Sequence, residues 1–577
     1  MKRINRHGIV AANISYKSYN ENLEYFCIEA LEDGLTAKLS VNACEYSLDG
    51  NTWNSLSAAT NTPAINTGDK IYFRGNLIPT SGKGIGTFTI SKKCNVKGNV
   101  MSLLYGDDFE GKTDLTGKNY AFYKLFYNCT KIVDASELIL PATILANRCY
   151  NSMFQGCTGL TSAPVLPATK LTSECYSYMF YGCTSLTTPP ELPATTLADS
   201  CYSFMFYGTN VLPDCNNIDF TNETVVAIGG LIGLFAGTKV TDADLNRILP
   251  KNNNGKYCLP VITLANDCYS SMFYGCTGLT TAPVLPATTL ANDCYSSMFY
   301  GCTGLTTAPE LPATTLAYGC YSHMFTGCTS LEQAPALPAT TLASYCYQSM
   351  FRGCSKLTTA AELPATTLAD NCYYYMFQGC TGLTTAPELP ATTLVYSCYD
   401  SMFYGCTGLT TAPELPATTL ANSCYYNMFY NCSKLNYIKM LATDISATRC
   451  LADWLYRVSS TGTFVKHPDM TSLPSGSSGI PKGWTVEYYA ENSPNLITFI
   501  INNLEYQAEE GMTWEEWVNS GYNTCDAYIL SNGKINLYNI NFEYIYNSTN
   551  NEYNGVYTTD IIQNNHRYNG YGGFGGD

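Results

Sequence analysis

The chain has 577 residues, with 31 Lys+Arg against 46 Asp+Glu and a formal net charge of -15. Only 13% of its residues are charged, about half of the roughly 25% usual in soluble domains, while Tyr alone occurs 47 times. The length exceeds one ordinary globular core, so several domains or one elongated repeat array are expected, and the acidic balance argues against nucleic acid and anionic membranes as partners.

The N-terminus carries Lys2, Arg3, Arg6 and His7 without the apolar run that a secretory signal requires, and no stretch approaches the length of a membrane span. Synthesis in a cytosol and no membrane insertion are therefore expected. In that reducing pool the 27 cysteines do not default to a disulfide framework. Residues 1–114 lack the later repeat and read as short strands at 36–40, 44–47, 70–73 and 86–90. They predict an N-terminal β domain that also covers the first coil, because an open solenoid end needs a cap. Within it, Ser47-Leu-Asp-Gly-Asn-Thr-Trp53 resembles the Asp-box of sialidases with one residue fewer before the Gly, and its turn chemistry predicts a plain hairpin.

Residues 115–489 are repetitive. Cys268, Cys294, Cys320, Cys346, Cys372, Cys398 and Cys424 are each 26 residues apart, and Cys276 to Cys432 run eight residues behind them. The register reappears at Cys149, Cys175 and Cys201 and at Cys450. Counting the anchors from Phe126, through Phe273 and Phe351, to Leu455 gives thirteen coils. In one unit, Cys268, Tyr269, Met272, Phe273 and Cys276 form a single stripe, which predicts a short helix capped by Asn266 or Asp267 and stopped by Gly275. The following segment, from Leu279 to Leu285, is extended, with Pro283 and Pro286 excluding helix. The fold class that follows is an α/β repeat solenoid, with a parallel sheet along one side, short helices on the other and a rise of about 4.8 Å per coil. The stacked cysteines predict packed free thiols: close metal-ligand pairs are absent, and a ladder thiol pairs only once.

The order aromatic-x-Gly-Cys-x-x-Leu followed by Leu-Pro, here Phe273, Gly275, Cys276, Leu279, Leu285 and Pro286, resembles the BspA-like leucine-rich repeats of microbial surface proteins. The resemblance runs from about residue 125 to 489 and implies an adhesive solenoid. Two departures are the slightly longer unit and the additional cysteine at the Cys268 position.

The array is irregular at 207–260, where Phe206 to Phe235 spans 29 residues, Phe235 to Phe273 spans 38 and Thr209 replaces the ladder cysteine. The extra residues are expected to leave as loops, with a short helix capped at Thr241 to Asp244 and a polar run at 251–256. From Trp484 to Tyr489 the chain is expected to close the array. Residues 490–577 then read as a small α+β module: a hairpin around Asn502-Asn503, a helix opened by Thr513-x-x-Glu516 and ended by Gly521, and a Gly-rich tail. This layout is similar to fibre or decoration proteins of bacteriophages that infect gut bacteria. Such a resemblance implies a virion location after lysis, with other virion proteins as partners; a bacterial cell surface is the alternative.

Catalysis finds no motif. The four histidines, His7, His323, His467 and His566, stand apart, and Glu310, Glu362, Glu388 and Glu414 repeat one solvated position. No cofactor and no metal are expected. On the predicted helix, the offsets between stripe residues vary from coil to coil in Tyr, Ser, Asn, Asp and Arg, side chains suited to adaptable contacts. They are expected to align into an exposed ribbon of Tyr274, Tyr300, His323, Arg352, Tyr374, Tyr375, Tyr404 and Tyr426 that contacts a host-surface glycan or protein. A passive capsid-decoration or fibre spacer is the alternative, and an oligomer is compatible with either.

Overall fold

The computed structural model describes residues 24–212, 230–259, 261–470 and 473–489, with isolated strands between 496 and 568. Met1–Glu487 form one compact unit and Tyr488–Asp577 a second.

At the N-terminal end, β1 (Cys27–Ala30), β3 (Cys44–Ser47), β4 (Asn54–Leu56), β5 (Lys70–Arg74) and β7 (Cys94–Asn99) build one sheet in the order β4-β3-β5-β1-β7, while β2 (Ala37–Leu39) pairs with β6 (Phe88–Ile90). The sheet continues into the first coil: β7 runs parallel to β8 (Ile132–Asp134) and β9 (Leu138–Ile139), with Cys94 opposite Ile132 and Gly98 opposite Leu138. Gly98 has φ +74°, and a Cβ there would meet the Tyr25 carbonyl oxygen at 2.2 Å, so only glycine fits. Phe26 and Phe88, with Phe73 packed on both, pack on the coil residue Phe126, which merges the two cores. The Asp-box-like stretch is the β3–β4 hairpin, in which the Asp49 carboxylate accepts from the Asn51 and Thr52 amides at 2.8 and 2.6 Å. These bonds hold that carboxyl far below the usual range.

The thirteen anchors from Phe126 to Leu455 are all buried, and so are Cys268, Tyr269, Met272, Phe273 and Cys276 and their equivalents. The predicted inside is therefore correct, but the predicted short helix is not. Across 267–276 the amides alternate. Ser270, Met272, Tyr274 and Cys276 donate to the carbonyl three residues back, whereas Tyr269, Ser271, Phe273 and Gly275 donate to Cys294, Ser296, Met298 and Tyr300 of the next coil at 2.6–3.0 Å. Asp267, Ser271 and Gly275 take φ of 56, 55 and 70°, a left-handed conformation that a right-handed helix cannot contain. The segment is a wall of linked turns with a period of four. Asp267 and Gly275 are left-handed wall positions rather than a helix cap and stop.

The expected parallel sheet is also reduced. Through most of the array the other side of each coil meets its neighbour only at single parallel bridges, such as Thr281 with Thr307 and Thr289 with Thr315. Proline explains this, because Pro309 and Pro312 have no N–H to extend a ladder. Where the coil lacks proline, a regular parallel pair forms, β10 (Tyr437–Met440) with β11 (Thr463–Lys466), joined by β12 (Thr485–Tyr488).

Between Phe235 and Phe273 the irregular region loops out as expected while the wall stays in register, since the Phe235 N–H still reaches the Met272 carbonyl at 3.1 Å; the insertion before Phe235, at 213–229, falls outside the described residues. Its helix α1 (Asp242–Ile248) opens with the Asp244 carboxylate accepting from the Thr241 amide at 3.0 Å. In the second unit, β13 (Leu496–Ile501) and β14 (Leu504–Glu509) form the expected antiparallel hairpin. The expected helix after Thr513 and the Gly-rich tail fall outside the described residues.

Candidate functional site

Each coil offers three left-handed wall positions, one before the first ladder cysteine and the others four and eight residues on. The middle coils fill them with small residues: Asp267, Ser271 and Gly275, then Asp293, Ser297 and Gly301. The third position is largely a column of stacked glycines; a Cβ on Gly301 would lie 3.8 Å from the Gly275 Cα. Further along the chain, large side chains occupy the same backbone: His323, Tyr345, Tyr375 and Arg449 have φ of 57, 59, 58 and 56°.

The structure sorts the sequence-predicted residues into separate groups. Tyr274 and Tyr300 stack on each other at 4.6 Å, and Tyr404 stacks on Tyr430 at 4.6 Å, so these rings cover one another's faces and present edges outward. His323, Arg352, Tyr374 and Tyr375 come together: the Arg352 guanidinium lies 5.7 Å over the Tyr375 ring, and the Tyr374 and Tyr375 centroids are 4.1 Å apart. Burial and the Arg352 charge hold the His323 imidazole below its ordinary value. Burial and the Tyr375 hydroxyl push the Tyr374 phenol upward. Tyr426 lies 4.3 Å beneath the Arg449 guanidinium. The ribbon is less exposed than expected, since of these eight residues only Arg352 is exposed and the others are half-buried. With the stacked surface rings 4.6 Å apart, each side chain shields the next.

Sequence reasoning missed Tyr345 and Arg449 as parts of the face and gave Asp400 no special place. Asp400 is 7% exposed and accepts from the Ser401 hydroxyl at 2.7 Å. Desolvation pushes its carboxyl up to about 6, against the opposing pull of that hydroxyl and of Arg449. The missed signal is the wall position itself, because a Tyr or Arg where the neighbouring coils carry Asp, Ser or Gly marks a departure from the backbone's preference.

A hollow of about 840 Å³ lies elsewhere, on the strand side between residues 358–364 and 384–390. Its lining is the repeated Thr, Pro and Glu of that side, without a cation or an aromatic ring, so it offers little chemical selectivity. Every described cysteine is free and buried, as expected. Burial pushes the Cys276 thiol up to about 12, and its Sγ donates to the Phe235 carbonyl at 3.0 Å, an inert packing role. Among the described residues no cluster of three His, Cys, Asp or Glu is placed to hold a metal, and no helix is long and apolar enough to cross a membrane.

No curated protein matches the sequence. Among solved structures, the chain is similar to a leucine-rich repeat protein from Eubacterium ventriosum ATCC 27560, at 15% identity over 73% of this chain and 95% of that one, with a TM-score of 0.28. It is also similar to a TLR13–ssRNA13 complex, at 10% identity over 62% of this chain and 54% of that one, with a TM-score of 0.20. Neither superposition is close enough to carry a structural argument. The model of the BspA type leucine rich repeat region matches in six copies, over residues 119–232, 266–384 and 344–449. With more than half of its length matched, and with the wall and core repeating in the same register, the chain belongs to the BspA-type leucine-rich-repeat family.

Proposed function

We propose that the protein is a non-enzymatic adhesion protein whose turn wall contacts a surface glycan or protein, and that it is displayed on a virion or, equally, on a bacterial surface. The observation that carries this reading is the set of large aromatic and cationic residues at left-handed wall positions from His323 to Arg449. The coils from Asp267 to Gly301 show that small residues build the same wall, so the fold itself does not call for large side chains there. Buried Asp400 adds to this, because an ionisable group kept at a desolvated position opposes stability. Large adaptable side chains beside a desolvated carboxyl fit a surface selected for contact.

The test is attachment of labelled full-length protein to target cells, comparing the parent with a triple variant, Arg352→Ser, Tyr374→Ser and Tyr375→Asn. Asn is chosen at 375 because it tolerates positive φ. Attachment should fall at least tenfold while Tm drops by a few degrees at most. If attachment persists and deletion of residues 251–256 removes it instead, the polar loop carries the contact. If neither change matters, the array is a passive spacer.

A further inference from the structure

The first three coils hold a recess that the ribbon does not include. The Thr80–Gly84 turn of the N-terminal domain lies against the wall there, and its Gly82 borders an open cleft of about 430 Å³. Gly84 makes the approach possible, since its φ is +59° and a Cβ would meet the Tyr120 and Tyr123 carbonyl oxygens at 2.9 Å. Tyr120 and Tyr123 pack edge to face at 5.5 Å on one side of the cleft, with Tyr127 beside them. The Arg148 guanidinium donates to the Tyr120 hydroxyl at 2.6 Å and pairs with Glu174, so its charge is already compensated. Lys124 differs. Its ammonium sits 5.1 Å from the Tyr123 ring and 4.8 Å from the Tyr127 ring, and no carboxylate pairs with it among the described residues.

The backbone makes this lining costly. Tyr120, Lys124, Arg148, Glu174 and Tyr178 all occupy left-handed positions, with φ from 54 to 62°, where the coils from 267 to 301 carry Asp, Ser or Gly. An unpaired cation between aromatic rings, with the Asn151 and Gln155 amides at the same cleft, has the chemistry of a sugar site that also reads a negative charge. In a chain of net charge -15, such a cation is a local exception rather than part of a general basic surface.

We infer that this cleft binds an acidic saccharide, with Lys124 facing the sugar carboxylate and the tyrosine rings packing on its apolar face. The inference rests on the reading of the turn wall as a binding surface and adds to it a second site with a defined ligand class. Calorimetric titration of the full chain with 3′-sialyllactose, with a glucuronate-terminated disaccharide and with lactose tests it. At least one acidic probe should bind at least tenfold more tightly than lactose, and its affinity should weaken with added salt. Lys124→Asn should reduce that affinity at least tenfold while Tm stays level or rises, because Asn suits the +56° backbone.

Equal binding of lactose, no binding of either acidic sugar, or full affinity in Lys124→Asn overturns the inference. So does binding of polyglutamate in place of the sugars, which would make the cleft an acidic-peptide site. The triple variant at Arg352, Tyr374 and Tyr375 should retain sugar binding. If the acidic sugars fail while cell attachment still depends on those three residues, the cleft assignment falls and the adhesive reading stands.

Discussion

Two stretches of the same wall, residues 267–301 and residues 345–400, share a backbone and differ in what they hold on it. Both carry the alternating amide pattern and the buried Cys, Tyr, Met and Phe stripe. The first places Asp, Ser and Gly at all of its left-handed positions, and the second puts Tyr345 and Tyr375 at two of them, among Ser349, Gly353, Asn371, Gly379 and Ser397. At the offset held by Ser270 in the first, the second carries Tyr374 and Asp400. The comparison separates two demands that are usually entangled. What the fold requires is visible in the plain coils, and what remains in the decorated ones needs another cause.

The largest effect should be common to both stretches. Phe273→Ala and Phe351→Ala each remove a fully buried ring stacked between its coil neighbours, and each should cost about 3–5 kcal/mol in chemical denaturation. A difference of more than about 1 kcal/mol between them would break the claim of a shared interior. Asp400 should sharpen the contrast. With its folded-state pKa about 6 against an ordinary value near 3.9, the folded protein holds this proton more tightly than the unfolded chain does. Stability from this group is then highest below about pH 4 and is lost as pH rises to about 6. Asp400→Asn should remove that loss and stabilise the protein at pH 7 by up to about 3 kcal/mol, read as a higher denaturation midpoint. An unchanged midpoint at pH 7 would mean that the carboxyl is better solvated than its surroundings indicate.

Gly301→Ala and Gly379→Ala probe the backbone itself. Neither new methyl meets anything closer than 3.8 Å, so the cost comes from positive φ alone and should be about 1 kcal/mol in both. A much smaller penalty at 379 would show that the decorated wall has relaxed. The smallest effect belongs to Tyr295→Phe. The Tyr295 hydroxyl is buried without a protein partner among the described residues, so its removal should leave stability within about 1 kcal/mol of the parent, on the stabilising side.

The inside of the molecule was legible in the sequence because burial imposes residue type directly: Cys268, Tyr269, Met272, Phe273 and Cys276 recur and are all buried. The wall geometry was not, since a period of four and a helical period of 3.6 place nearly the same residues inward over two turns. The discriminating sign was present in Asp267, Ser271 and Gly275, three poor helix formers spaced by four. On the strand side, the prolines that excluded helix also excluded a continuous ladder. The face around Arg352, Tyr374 and Tyr375 was visible as variation against a fixed register. The cleft was not, because its walls come from three coils and from a loop about 40 residues before the first of them, which only the folded chain brings together.

The amides that run from coil to coil also have a mechanical meaning. Tension along the stack is shared at this interface by the five wall bonds from Asp267, Tyr269, Ser271, Phe273 and Gly275, while successive interfaces carry the load in series. The weakest interface yields first and releases one coil of 26 residues, which draws out to roughly 90 Å. A particle tethered through this array would thus feel a staircase of even steps, and the protein would spend the work of a sudden pull on its own coils before the load reached the bound surface.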